Sequence, residues 1–190
     1  MDLKKKVAFL VYKCLSWHNK YNLKKQLDAP NVKLGEYVMI ADAFNLELPQ
    51  SNYQLELGTR VNFKKYCNVL LFPNSKLIIE ENVFFNNYCS INCLGEIRIG
   101  LNCIFGEGVK LYDHNHKHEY VNGELKVARD DYNIGSIVIG NNCWIGSNVT
   151  ILKNVVIGDN VIIGANVLIY KSIASNSIIK SKTETIMETK

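Results

Sequence analysis

The chain has 190 residues, 47% of them hydrophobic, with 22 basic against 18 acidic side chains and a formal net charge of +4. That length and hydrophobicity suit one domain with a sizeable core and exclude wholesale disorder. The charge balance is too mild for a nucleic-acid binder and compatible with an anionic small ligand. The six cysteines, at 14, 67, 89, 93, 103 and 143, contain no CxxC pair, so neither a zinc ribbon nor a thioredoxin motif is expected. They are read as buried thiols of a reducing compartment, and the protein as cytoplasmic.

Residues 3–17 carry helical periodicity. Leu3, Val7, Leu10, Val11, Cys14 and Leu15 share one face, and Lys4, Lys5, Lys6 and Lys13 lie mostly off it. Such a helix packs on the main body or a neighbouring subunit, or lies on a membrane surface, so peripheral membrane contact stays open. The start resembles a signal peptide, but its apolar run from Val7 to Val11 is short and no small-residue cleavage site follows. No run is long enough for a transmembrane helix. Residues 18–56 read as irregular and polar, with Pro30 and Pro49 as breakers, so residues 1–56 form an N-terminal helical and irregular segment.

From Leu57 to about residue 175 the sequence repeats with period six. Ile139, Ile145, Ile151, Ile157, Ile163 and Ile169 occupy position one of consecutive hexads. Position two holds Gly140, Gly146, Leu152, Gly158, Gly164 and Tyr170. Position five holds Cys143, Val149, Val155, Val161, Val167 and Ile173. Upstream, position one continues through Leu57, Phe63, Val69, Ile79, Phe85, Ile91, Ile99, Phe105 and Leu111, with slips between blocks. Neither a helix nor an alternating strand has this period. Three hexads close a triangular coil whose strands point positions one and five inward, and stacked coils bury one continuous core. Cys67, Cys89, Cys103 and Cys143 fall on position five and are expected to be small inward-facing hydrophobes.

The repeat breaks once, over residues 112–136. The break contains Tyr112-Asp113-His114-Asn115-His116-Lys117-His118-Glu119, with three of the chain's four histidines. A solenoid that is regular on both sides has no folding need for this excursion, and long loops on rigid scaffolds concentrate function.

With the hexads, the histidine loop and the segment Ile139-Gly140-Asn141-Asn142-Cys143-Trp144-Ile145-Gly146, the sequence resembles the hexapeptide-repeat acyltransferases. Its nearest branch is the galactoside, maltose and lipopolysaccharide-sugar O-acetyltransferases. The resemblance covers roughly residues 57–175 and leaves 176–190 as a tail. It implies an all-β fold, a left-handed parallel β-helix, and a homotrimer with sites between subunits. It also implies acetyl-coenzyme A as co-substrate and a sugar or glycan as acceptor, with no nucleic acid and no metal.

Position by position, the histidine that closes the hexad before the loop matches His116, and a shift of two would give His114. Asn86 matches an acceptor-contacting asparagine, and Trp144 a tryptophan beside the reacting centre. Gly146, Ser147, Ala165, Tyr170 and Lys171, with Trp144, match the coenzyme channel. Two departures stand out. Leu94 replaces an aspartate of the galactoside enzymes, and Ser181-Lys182-Thr183-Glu184-Thr185 replaces the usual Gly-x-Pro-Ala-Lys tail.

The expected chemistry is direct transfer. One imidazole nitrogen of His116 takes the acceptor proton. The other is held by a backbone carbonyl or a carboxylate, with Asp113 and Glu119 as local candidates. The resemblance favours O-acetylation of a surface polysaccharide or its precursor. N-acetylation of an amino sugar or nucleotide sugar remains the alternative. A non-catalytic binding solenoid and a metal-dependent hydratase of the γ-carbonic anhydrase type are the more distant readings.

Overall fold

The computed structural model describes residues 19–181. The helix expected over 3–17 lies outside them. A short helix, residues 19–27, precedes a solenoid of short strands. The strands form three parallel sheets, here called the first, second and third faces of a triangular prism. Each chain circuit contributes one strand to each face, so every strand pairs with the strand one circuit away.

The first face runs from Val32–Leu34 to Val155–Ile157, and the second from Met39–Ile40 to Ile178–Ile179. The third runs from Asn45–Glu47 to Leu168–Ile169. The solenoid therefore starts at Val32, well before Leu57, and reaches Ile179, beyond 175.

The early start escaped the sequence reading because circuits differ in length. On the second face Ile40 pairs with Phe63, Phe63 with Phe85, Phe85 with Phe105, Ile145 with Ile163 and Ile163 with Ile179. The same steps separate stacked side chains by 23, 22, 20, 18 and 16 residues. Only the 18-residue circuits are three clean hexads. Longer circuits carry extra residues at the corner between the third and first faces, such as Phe72–Ser75.

The inward positions behave as their period predicts. Every position-one residue from Leu57 to Ile169 is buried, as are Cys67, Cys89, Cys103 and Cys143. On the second face, Phe63, Phe85 and Phe105 stack inside at centroid spacings of 4.5 Å, continuing a contact of 5.1 Å from Phe44. Leu23 and Leu27 of the short helix pack on the open N-terminal end, and Gln26 donates to the Leu46 carbonyl at 2.8 Å. Solenoids need such caps because the last coil has no neighbour to cover it.

The loop expected over residues 112–136 is a hairpin, with His114–Val121 antiparallel to Glu124–Ile134, while Tyr112 and Ser136 at its two ends still pair within the faces. It leaves the corner between the third and first faces. Ile99 still pairs directly with Ile139, so the hairpin is extruded without disturbing the stack.

Its base is fastened by Asp113, which is fully buried. The carboxylate accepts from the Leu94 N–H at 2.9 and 3.0 Å and from the Gly95 N–H at 2.8 Å. The Asp113 carbonyl accepts from the Gly135 N–H at 2.7 Å, closing the exit and return strands. Gly95 fits because a Cβ there would sit 2.5 Å from the Gly135 oxygen. No helix among the described residues is long and apolar enough to cross a membrane.

Two outcomes follow from this packing. Phe85→Ala removes the middle ring of the stack and should cost about 3–5 kcal/mol, read as a lower urea midpoint. Asp113→Ala strands two buried N–H groups and should cost about 2–6 kcal/mol. It should also open the hairpin to limited proteolysis, whereas Phe85→Ala should leave hairpin cleavage unchanged below the unfolding transition.

Candidate functional site

The hairpin places its histidines in two different environments. His114 sits at the base with 15% of its side chain exposed, and its Nδ1 lies 3.2 Å from the Asp113 Oδ1. Its ring meets Tyr132 edge-on at 5.3 Å and lies 6.5 Å from Tyr112. His114 is thus packed among aromatic rings, against a carboxylate already engaged by two backbone groups.

His116 is two residues further along the same strand and is exposed. Its Nδ1 lies 2.9 Å from the Ala128 carbonyl oxygen on the return strand. A carbonyl only accepts, so this contact puts the proton on Nδ1 and leaves the Nε2 lone pair free in the neutral ring. Tyr132, opposite His116 in the register, packs on the imidazole at 4.8 Å. Phe72 backs Tyr132 edge-on at 5.8 Å. The ring is therefore held at one nitrogen and along one side.

Of the expected partners for that nitrogen, a backbone carbonyl is the one the structure supplies. Asp113 holds the hairpin base and His114 instead. His118 lies past the register shift that separates it from His116. Tyr132 and the Ala128 carbonyl were not legible in the sequence, because only the hairpin register brings them to the histidines.

The remaining candidates occupy other parts of the prism. Trp144 stands on the outer side of the second face, 55% exposed. It pairs between Ile104 and Ile162, in an outward row that runs Met39, Asn62, Phe84, Ile104, Trp144, Ile162 and Ile178. This row is almost wholly apolar, and five of its members are exposed large hydrophobics.

Asn86 opens the corner between the second and third faces, where its Oδ1 accepts from the Asn87 N–H at 2.8 Å. Gly146, Ser147 and Ala165 lie on that same corner in later circuits, and the Gly146 Cα is closely approached by the Ala165 backbone. Tyr170 and Lys171 lie on the hairpin's corner, with the Lys171 Nζ 5.6 Å from the Tyr170 ring centre. A single chain therefore holds the histidines at one corner and Asn86, Ser147 and Ala165 at another, with Trp144 on the face leading to it. It does not bring the two sets together.

The thiols face the solenoid core, out of reach of a substrate. Cys67, Cys89, Cys93, Cys103 and Cys143 are free and buried. Burial pushes the Cys93 thiol well up, and the Asp113 carboxylate nearby adds to that. Among the described residues, no three His, Cys, Asp or Glu side chains converge in a way that could hold a metal ion.

Comparison with known proteins agrees with this architecture. The family model described as bacterial transferase hexapeptide (six repeats) matches residues 136–171. No curated protein is similar enough to count as a relative.

Among solved structures, the hexapeptide-repeat containing acetyltransferase VCA0836 from Vibrio cholerae is 22% identical, with a TM-score of 0.56. That match covers 64% of this chain and 66% of the other. A structure of the same protein with acetyl coenzyme A gives 19% identity over 86% of this chain and 72% of that one, with a TM-score of 0.54. AntD, an N-acyltransferase from Bacillus cereus solved with dTDP and 3-hydroxybutyryl-CoA, is 17% identical over 84% of this chain and 81% of that one, with a TM-score of 0.61. A maltose O-acetyltransferase from Clostridium difficile 630 is 23% identical over 85% of this chain and 70% of that one, with a TM-score of 0.51. Residues 136–171 are thus hexapeptide repeats of the bacterial transferase type, and the chain has the fold of the hexapeptide-repeat acyltransferases.

Proposed function

We propose that this chain is an acetyl-coenzyme A-dependent O-acetyltransferase that modifies a sugar hydroxyl, on a surface polysaccharide or its cytoplasmic precursor. The observation that carries this reading is the state of His116. Its Nδ1 lies against the Ala128 carbonyl, so on this exposed ring Nε2 is the nitrogen left to act as the base. Nε2 takes the acceptor hydroxyl proton as the oxygen attacks the thioester carbonyl, and returns a proton to the departing thiolate. Backbone N–H groups of the coil stabilise the oxyanion between these steps. No serine or cysteine nucleophile takes part.

The working unit is a homotrimer. The hairpin of one copy supplies His116, and the second face of its neighbour supplies Trp144 and the corner with Asn86. The apolar outward row through Phe84, Ile104 and Trp144 supports this, because contiguous exposed apolar surface of this kind marks an interaction surface. Trp144 then packs beside the reacting end. Ser147, Ala165 and the closely packed Gly146 leave a smooth corner along which a pantetheine arm can lie. Lys171 meets a coenzyme phosphate as a point charge. His114, closed in by Asp113 and Tyr132, keeps the hairpin base in shape.

N-acylation of an amino sugar carried on a nucleotide is the second reading. AntD, an N-acyltransferase, overlays this chain with a higher TM-score than the maltose O-acetyltransferase does. The same base serves both reactions.

The test is thiol release from acetyl-coenzyme A with a panel of sugars, oligosaccharides and dTDP-amino sugars. Acceptor-dependent release should fall by about 10²–10⁴ in kcat in His116→Ala and by less than about tenfold in His114→Ala. Loss confined to His114→Ala would move the base to that residue. Turnover only with amino sugars would establish the second reading. A protein that fails to bind acetyl-coenzyme A in calorimetry is not an acyltransferase.

A further inference from the structure

The corner between the second and third faces turns, in every circuit, through one residue in the left-handed backbone region. In chain order these are Ala43, Tyr66, Tyr88, Gly108, Asn148 and Asn166, with φ between 58° and 69°. Asparagine and glycine suit that conformation, and asparagine supplies eleven of the sixteen non-glycine residues with positive φ among the described residues. A bulky side chain there is an outlier. Two consecutive circuits nevertheless use tyrosine.

The two rings are also exposed. Tyr66 and Tyr88 are 53% and 54% exposed, and their rings stack at 5.0 Å with planes 7° apart. The adjoining positions in the column are small: Ala43 before Tyr66 and Gly108 after Tyr88. The outer flat faces of the pair are therefore not covered by their own column. Beyond Gly108 the next residue is Asn148, whose Oδ1 lies 2.5 Å from where a Gly108 Cβ would be. One circuit's height thus separates an uncovered aromatic face from a side-chain acceptor.

We propose that Tyr66 and Tyr88 form a carbohydrate-stacking platform that seats a pyranose ring on the Gly108 side of Tyr88. A pyranose presents a flat patch of C–H groups that matches the electron-rich face of an aromatic ring. Its edge carries hydroxyls, one of which donates to the Asn148 Oδ1. The platform lies two residues past Asn86, so the seated ring belongs to the acceptor. It is either the reacting sugar or the residue next to it in an oligosaccharide. The identity of the ring as acceptor rests on the transferase reading above; the stacking itself does not.

The test uses Tyr88→Asn and the double variant Tyr66→Asn/Tyr88→Asn. Asparagine is the residue this corner otherwise prefers, so both should fold and melt no lower than the wild type. Saturation-transfer NMR with methyl β-D-glucopyranoside, methyl β-D-galactopyranoside and cellobiose should show transfer to ring C–H protons in the wild type. It should fall at least about threefold in the variants. Absence of transfer from the wild type to all three sugars, or equal transfer in the variants, overturns the platform. So does transfer to thymidine monophosphate with none to the sugars. If the variants sediment as smaller species than the wild type, the pair is a subunit contact and the proposal also fails. Acetyl-coenzyme A binding by calorimetry separates this proposal from the transferase reading. Sugar transfer without coenzyme binding removes the transferase and keeps the platform; coenzyme binding without sugar transfer removes the platform alone.

Discussion

Every strand on the three faces of this protein depends on the strand one circuit away. The strands are two to four residues long on all three faces, too short to stand alone, and their backbone groups are satisfied only by parallel neighbours above and below. That constraint sets the inward positions, because a residue at one height must fit the residues directly above and below it. It explains the column of phenylalanines from Phe63 to Phe105 and the aliphatic columns on the other two faces. It also explains the amide ladder along one corner, where Asn82, Asn102, Asn142, Asn160 and Asn176 pass hydrogen bonds from circuit to circuit. Identical side chains at successive heights satisfy one another.

The same constraint decides where variation is allowed. Faces cannot change length without losing register, so extra residues collect at the corner between the third and first faces. The hairpin is the largest such addition, and it leaves the pairing of Ile99 with Ile139 intact. Asp113 makes this workable. Its buried carboxylate gives the Leu94 and Gly95 N–H groups the acceptor that a regular corner would supply, at the place where the chain departs. The hairpin is thereby anchored at its base, as the role proposed for His116 requires if the ring is to meet a substrate in a fixed orientation.

Within one chain the hairpin histidines stand at one corner of the prism and Asn86, Ser147 and Ala165 at another. Association of copies through the apolar second face resolves this in the proposed trimer, and it gives the exposed Trp144 and Ile104 side chains something to pack against.

The period of six was readable because position-one and position-five residues face a narrow interior that tolerates few side chains. Buried isoleucines from Ile139 to Ile169 and the inward cysteines followed from that alone, as did the triangular coil and the one break in it. The strands before Leu57 were not readable. Circuits of 23 and 22 residues do not divide into three hexads, and strands of two or three residues with exposed partners, such as Met39–Ile40, carry little pattern.

The histidine cluster could be seen in the sequence, at the one break in the repeat. Which ring is held at Nδ1 by a carbonyl, and which is locked against a carboxylate and two tyrosines, could not. Those contacts come from the hairpin register, which pairs His116 with Tyr132 and is set by antiparallel hydrogen bonds and a bulge, not by side-chain pattern. The roles of Asp113 and the stacked pair Tyr66–Tyr88 likewise arise between residues about twenty positions apart. A sequence pattern reports which residues face inward; only the stacked chain reports which of them meet.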